Sequence, residues 1–334
     1  MTPMKYLSLP DDKPRFLPFY LAAEEYVARH FGDEVFFTWV VPPTVICGRN
    51  QSIELEVDLD YCRAHGIEVY RRKSGGGSVF ADGGNIMFSY VTSSDNVSMT
   101  YSRYTGAVVA MLRGLGLNAS DTSRNDILVD GLKVSGNAFY HLPGRSIVHG
   151  TMLFDTDMTH IARALTPSRA KLESKGIKSV ESRVTMLKRY LPSMTVDVFR
   201  DYAVSHICDG ILSLTDDDVR TIEEIALSYL EPSFRWGKKS AVASTTTTRI
   251  DGVGEISIDV EEKNGTINNV FLTGDFFLLG DLDGELLPRL RGVKRDPKTL
   301  EAALADIDVS TIIRNLSNNQ FINLLTEDQQ KNYG

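Results

Sequence analysis

The chain has 334 residues, 42% of them apolar and 24% charged, the composition of a soluble globular protein with room for two domains of ordinary size. A net charge of −8 argues against non-specific nucleic-acid binding. No run approaches the ~20 apolar residues of a membrane span.

The first twelve residues reach Asp11-Asp12 without an apolar signal core, so no export is expected and the cytoplasm is the expected location. Phe19 to Phe31 carries Leu21, Ala22, Tyr26 and Val27 at helical spacing and predicts a helix ended near Gly32. Val35–Val41 predicts a buried strand stopped by Pro42-Pro43, and Thr44–Gly48 a second short strand. Asp58–His65 predicts a short helix ended by Gly66, and Ile67–Tyr70 a strand. The three cysteines, Cys47, Cys62 and Cys208, are too few and too far apart for a disulfide framework, which suits a reducing compartment. With six histidines they show no metal-ligand spacing.

That last strand feeds the most informative run of the chain, Arg71-Arg72-Lys73-Ser74-Gly75-Gly76-Gly77-Ser78-Val79-Phe80. Three glycines in a row lose much backbone entropy on folding, so they stand where something approaches the backbone or where φ is positive. Their N–H groups can converge on an anion, and the preceding cations add charge-assisted bonds to phosphate or carboxylate. The run is not a Walker A loop, in which the lysine follows the glycines and a helix comes next. Ser78–Ala81 and Asn85–Val91 read as strands around Asp82-Gly83-Gly84, which predicts a hairpin. From spacing alone, an anion cradle and a glycine-rich hairpin with a solvated basic flank are equally good readings.

Tyr101–Gly114 predicts a helix, and Asp130-Gly131 between two apolar runs predicts a tight hairpin. Lys133 lies just past that turn. The irregular mixture of helix and strand points to an α+β fold rather than a doubly wound sheet. Arg163 to Arg189 holds eight basic residues against Glu173 and Glu181, a window of +6 in an acidic chain. Such a window draws an acidic partner or a phosphorylated ligand, or is simply a solvated face. Pro167–Leu191 reads as a long loop with a helical lead-in. Ala241–Thr248 is small, polar and repetitive, so the expected domains are 1–243 and 244–334. Beyond it, Arg249–Leu279 reads as β-rich with a hairpin at Asn264-Gly265. Helices are expected at Gly284–Arg291, Pro297–Ala305 and Thr311–Leu325.

Four segments in order resemble the lipoate–protein ligase A family. They are the Arg71–Phe80 run with Asp82 and Gly84-Asn85; Arg124-Asn125-Asp126; Lys133-Val134-Ser135-Gly136-Asn137-Ala138; and His149-Gly150-Thr151, continued by Lys175–Val184. The resemblance covers most of residues 1–240, and Val270–Phe277 loosely resembles the family's small accessory domain. It implies a biotin-ligase-like α+β catalytic domain with a small C-terminal α+β domain. It implies a two-step reaction in which lipoate attacks the α-phosphate of ATP, giving lipoyl-AMP and pyrophosphate. A lysine of an acceptor then takes the lipoyl group and AMP leaves. The implied acceptors are lipoyl domains of 2-oxoacid dehydrogenase complexes and the glycine-cleavage H protein, with neither nucleic acid nor membrane as partner.

The resemblance gives Lys133 the catalytic role, between the lipoate carboxylate and the α-phosphate, where a compact point charge suits two converging anions. It places ATP and lipoyl-AMP against Arg72, Gly75, Gly76, Gly77, Ser78, Val79, Phe80, Asn85, Asp126, Gly136, Ala138, His149 and Gly150. His149 is a binding group rather than a general base, and Gly136 and Ala138 let the ligand pass close. Val79, Phe80, Phe88 and Phe139 are expected to line an acyl slot or to serve as core. Lys175, Gly176, Ile177, Lys178, Ser179, Val180 and Arg183 form a covering loop that shields the adenylate from water. Mg²⁺ is expected with ATP, without an all-protein cage; Asp126 touches either metal or ribose. Two residues depart from the family pattern: Glu181, where a basic residue is expected, and Ser78, where a small apolar one is common. A cysteine-dependent octanoyl or lipoyl transferase is the alternative, disfavoured because no cysteine lies between Cys62 and Cys208. A biotin ligase, or a relic that only binds a lipoyl domain, is less favoured still.

Overall fold

The computed structural model describes residues 4–94, 96–122, 125–142, 144–166, 183–237 and 246–331. The chain divides into two compact units. The first comprises Met1–Cys47, Ile53–Lys73 and Ser78–Trp236; the second comprises Gly48–Ser52, Ser74–Gly77 and Gly237–Gly334. Of the expected boundary segment, residues 241–245 lie outside the described residues.

The first unit begins with β1 (Met4–Ser8), α1 (Leu17–His30), β2 (Glu34–Trp39), β3 (Thr44–Cys47), α2 (Ile53–Glu56), α3 (Leu59–Ala64) and β4 (Glu68–Arg71). It continues through β5 (Val79–Ala81), β6 (Asn85–Thr92), α4 (Val97–Gly114), β7 (Ala119–Asp121), β8 (Asp126–Val129), β9 (Leu132–Leu142), β10 (Arg145–Leu153) and α5 (Met158–Ala164). It ends with α6 (Val196–Ile207), β11 (Cys208–Ser213), α7 (Asp216–Leu230) and α8 (Pro232–Arg235). Eight strands form one sheet in the order β11-β1-β2-β6-β10-β9-β8-β7, and a second sheet has the order β4-β3-β5. The large sheet is parallel at β11-β1-β2 and antiparallel beyond. This is the expected α+β class.

Local chemistry explains the elements. Pro18 pre-sets the first turn of α1, whose Leu21, Ala22, Tyr26 and Val27 are buried as their spacing predicts. Asp58 caps α3 by accepting from Tyr61 N. Thr215 and Asp218 form a reciprocal capping box on α7, with three aspartates in its first turn facing the positive end of the helix dipole. Val219, Ile222, Ala226 and Tyr229 recur on one face and join Leu21, Val27, Trp39, Val91 and Ile147 in the main core. A smaller core gathers Val45, Cys47, Ile53, Cys62, Val69, Phe80, Leu153 and Ala164. Asp130 (φ 49°) and Gly131 (φ 77°) are both left-handed, as a two-residue hairpin requires, and join Val129 to its partner Leu132.

The hairpin expected around Asp82-Gly83-Gly84 does not form. Val79–Ala81 pairs with Thr44–Ile46 in the smaller sheet, while both edges of β6 are taken, by β2 and β10. The connection is bent by other bonds. Gly84 O accepts from Phe154 N and Asp155 N at 3.0 and 2.9 Å. Asp82 accepts from Gly84 N at 2.9 Å and Asp157 N at 3.0 Å. A methyl group on Gly84 would stand 2.1 Å from Asp155 O, so the contact needs glycine.

The second unit has a meander, β12 (Thr246–Ile250), β13 (Gly254–Lys263) and β14 (Thr266–Gly274), followed by α9 (Pro297–Ala303) and α10 (Asn318–Lys331). Its β13-β14 turn is Asn264-Gly265, both left-handed, as expected. Ile256, Phe276, Leu286, Leu300, Phe321 and Leu325 share its core. Two expected helices differ. Gly284–Arg291 is a π-helical turn running into a 3₁₀ turn with Pro288 at its start. Thr311–Leu325 starts only at Asn318, because Asn315 adopts φ 63° and breaks the helix before it.

Candidate active site

Lys133 sits at an irregularity in the β8-β9 ladder. Ile127 pairs with Ser135 but Leu128 pairs with Lys133, so Val134 is an extra residue on β9. Bulges of this kind bend a strand and re-aim its side chains. Both backbone polar groups of Lys133 are bonded to a later segment: its N–H donates to Arg183 O, and its carbonyl accepts from Thr185 N, each at 2.9 Å. The side chain runs to Asp126, with Nζ 2.7 Å from Oδ1. The other oxygen of Asp126 accepts from Arg183 Nη2. Asp126 is buried, with its side chain 4% exposed against 26% for Lys133 and 34% for Arg183. The carboxylate is thus a buried anchor under two partly exposed cations.

The rest of the Lys-x-Ser-Gly-Asn element serves this arrangement. A methyl group on Gly136 would lie 2.6 Å from Lys133 Nζ and 2.9 Å from Cε. The glycine therefore makes room for the lysine itself. Gly136 N donates to Thr151 Oγ1 at 3.0 Å. Asn125 and Asn137 bond reciprocally, each side-chain amide donating to the other's carbonyl at 3.0 Å. A methyl group on Gly150 would stand 1.8 Å from Asn137 Oδ1, so Gly150 is required by the asparagine. Ala138 is buried opposite His149 across the β9-β10 ladder.

His149 is buried, and its Nδ1 lies 2.9–3.0 Å from both carboxylate oxygens of Glu24. Glu24 also accepts from Ser89 Oγ at 2.5 Å, and Ser89 Oγ accepts from Trp39 Nε1 at 2.9 Å. The sequence reading missed Glu24; its one signal was a carboxylate at position i+3 from Leu21, on the apolar face of α1.

The basic flank is turned inward. Arg71 donates to the carbonyls of Arg235 and Trp236, each at 3.3 Å. Arg72 donates to Ile46 O at 2.9 Å, and burial pushes its guanidinium down to about 10. Lys73 Nζ lies 2.6 Å from Glu25. The anion-facing flank expected from the sequence is therefore corrected for Lys73, whose charge is spent on Glu25. Asn85 is fully buried and donates to Phe80 O at 2.6 Å, while its Oδ1 has no partner among the described residues. The Ser78 hydroxyl bonds the Cys47 thiol, yet burial still raises that thiol.

The glycines themselves belong to the second unit. Gly76 has φ 85° and donates its N–H to Phe276 O at 3.3 Å. A methyl group on Gly75 would lie 2.5 Å from the same oxygen. The close approach predicted for this run is made by protein backbone. Val79, Phe80, Phe88 and Phe139 do not form one slot: Val79 packs on the main core and Phe80 in the smaller one. Phe88 lies between Phe36 and Phe199, and Phe139 is near Tyr101. Lys175, Gly176, Ile177, Lys178, Ser179, Val180, Glu181 and Arg124 lie outside the described residues. Among the described residues no three His, Cys, Asp or Glu side chains converge as a metal site, and no helix is long and apolar enough to cross a membrane.

Two family models match the chain: the lipoyl protein ligase A/B catalytic domain over residues 18–208, and the bacterial lipoate protein ligase C-terminus over 242–325. Lipoate-protein ligase LplJ of Bacillus subtilis is 34% identical over 317 residues, covering 91% of this chain and 95% of its own. Among solved structures, a bipartite lipoate protein ligase studied with its E2 lipoyl domain from Thermoplasma acidophilum is 27% identical. It covers 72% of this chain and 100% of its own, with a TM-score of 0.63. A lipoate-protein ligase A bound with ATP is 26% identical, covering 70% of this chain and 99% of its own at a TM-score of 0.61. Matched in both parts, and along nine-tenths of its length by a relative a third identical, this enzyme belongs to the lipoate–protein ligase family.

Proposed function

We propose that the protein activates lipoate with ATP and transfers the lipoyl group to lysine on lipoyl domains of 2-oxoacid dehydrogenase subunits, glycine-cleavage H protein, or both. The observation that carries this reading is the Lys133 ammonium, fixed by buried Asp126 and by Gly136 beneath it. The relative bound with ATP and the relative studied with its E2 lipoyl domain support the choice of nucleotide and acceptor.

In the first step a lipoate carboxylate oxygen attacks the α-phosphorus, and the bond to the bridging oxygen of pyrophosphate breaks. Two anions must meet, and Lys133 Nζ neutralises the repulsion and the charge gathering on the phosphorus oxygens. Asp126 keeps that ammonium in one place at the cost of part of its field, and Arg183 offsets the same carboxylate from the other side. Arg72, Gly75–Gly77, Ser78–Phe80, Asn85, Asp126, Lys133, Gly136, Ala138, His149 and Gly150 are the proposed ATP and lipoyl-AMP contacts. The Lys175–Arg183 segment is the proposed cover. In the second step the acceptor amine attacks the acyl carbon, the acyl–phosphate bond breaks, and AMP leaves as the amine gives up its proton. Mg²⁺ accompanies ATP in this reading. Asp126 already holds two cations, Lys133 and Arg183. The domains are taken as 1–243 and 244–334, and the cytoplasm as the compartment.

The transferase alternative needs a thiolate. Cys47 and Cys62 are buried. Burial raises all three thiols, Cys62 to about 11 and Cys208 to about 12, which leaves each protonated near neutrality. The deciding experiment is lipoate-dependent pyrophosphate release from ATP without acceptor, for wild type beside Lys133→Ala. Release that collapses in the variant supports the ligase and the role of Lys133. Equal release from both removes the lysine from the chemistry, and no release from folded wild type removes the ligase.

A further inference from the structure

Helix α1 buries two consecutive carboxylates, Glu24 at 0% and Glu25 at 2% exposure. Glutamate is almost never fully buried unless paired, so each must have a partner strong enough to offset desolvation. Glu24 has His149 and Ser89. Glu25 has a different set. Lys73 Nζ stands 2.6 Å from its Oε1, the Tyr229 hydroxyl donates to the same oxygen, and Arg29 lies 3.5 Å from the other. The Lys73 ammonium also rests 4.6 Å from the centre of the Tyr229 ring. Burial raises the Tyr229 hydroxyl well above its ordinary range, so it stays a donor.

Lys73 is joined directly to Ser74–Gly77. A run of glycines carries no side chain with which to fix itself, and its entry must be set by its neighbours. We infer that Glu25 is a positioning residue for the glycine loop, holding the Lys73 ammonium under the Tyr229 ring so that the chain enters Ser74–Gly77 along one path. The inference rests on the ligase reading only in assigning that loop to substrate binding. Nothing in the proposed chemistry requires Lys73 or Glu25 to touch a substrate.

The test uses the full chain, with Glu25→Gln, Lys73→Met, the two combined, and Lys73→Arg. The first readout needs no ligand: hydrogen–deuterium exchange of peptides spanning residues 72–80. Glu25→Gln and Lys73→Met are each expected to speed exchange there by about tenfold, with the double variant no faster than either, because both cut the same link. Lys73→Arg, which keeps charge and stem, is expected to restore slow exchange. The second readout is pyrophosphate release, where KM for ATP is expected to rise about tenfold in Glu25→Gln and Lys73→Met, with kcat within about twofold, and to stay near wild type in Lys73→Arg. Unchanged exchange in Lys73→Met overturns the inference, as do multiplicative effects in the double variant. Faster exchange with an unchanged KM overturns it too, since the link would then serve the fold alone. If Glu25→Gln does not fold, Lys73→Met and Lys73→Arg still decide. If wild type releases no pyrophosphate, the ligase reading fails while the exchange data still judge the Glu25–Lys73 link.

Discussion

Asp126→Asn tests the site where its electrostatics are most concentrated. The substitution keeps shape and volume but removes the charge that Lys133 and Arg183 share. Exposed ion pairs contribute about 0–1 kcal/mol, whereas removing one partner of a fully buried pair costs about 3–5 kcal/mol. Here the anion is buried and the cations are a quarter to a third exposed. Each contact is therefore worth roughly 1 kcal/mol and the pair about 2 kcal/mol. With a urea dependence of about 2 kcal/mol per molar, the unfolding midpoint should fall by about 1 M. Tryptophan fluorescence is the right probe, since both tryptophans, Trp39 and Trp236, lie in the first unit. Pyrophosphate release should fall in the same variant, because the ammonium is no longer tethered. A midpoint within about 0.2 M of wild type would refute the buried-anchor account of Asp126.

Gly150→Ala should destabilise the first unit by about 3 kcal/mol, read by the same fluorescence titration, because its methyl would overlap Asn137 Oδ1 and break the Asn125–Asn137 bonds. Cys47→Ala, Cys62→Ala and Cys208→Ala should each keep pyrophosphate release and acceptor labelling; loss of acyl transfer in one of them would revive the thiol route. Burial, followed by the Asp218 bond, raises the Tyr26 hydroxyl to about 12. The unfolded chain ionises near 10, so that stability is full below pH ~10 and is lost as pH rises toward 12. Tyr26→Phe should flatten the alkaline limb of a stability–pH curve. Asp218 is lowered, chiefly by Tyr26, so its own contribution is present above pH ~4 and lost as pH falls below.

Periodicity and turn chemistry located most strands, helix α1 and the two Asx-Gly turns, because those signals are local. Failures came where partners are distant. The hairpin at Asp82-Gly84 was a sound local expectation, overridden by β2, β3 and β10 competing for the same edges. Strand β1 and helix α6 were not anticipated, and neither was α7, although its Thr215–Asp218 capping box and the spacing of Val219, Ile222, Ala226 and Tyr229 are local signals. Lys133, Asp126 and His149 entered the candidate site by resemblance. Their fastening to Glu24, Arg183 and Gly136 was not legible, since residues 24 and 149, or 126 and 183, meet only through the tertiary fold. Lys73 shows the reverse error: its place in a basic run pointed outward, and a glutamate 48 positions earlier turned it in.

Strand β1 lies inside the large sheet, between β2 and β11. β2 follows it closely, but β11 ends at Ser213, and its pairing with β1 is parallel. On the ribosome, β1 must therefore wait with one bare edge while some two hundred residues emerge. Parallel, long-range pairing of this kind is slow, and an open edge is what other chains add to. Truncation just before Cys208 would leave that edge permanently open, and nascent chains of that length should be marked by aggregation or by retention on chaperones, whereas chains that run past Trp236, and so also carry the core residues of α7, should be marked far less.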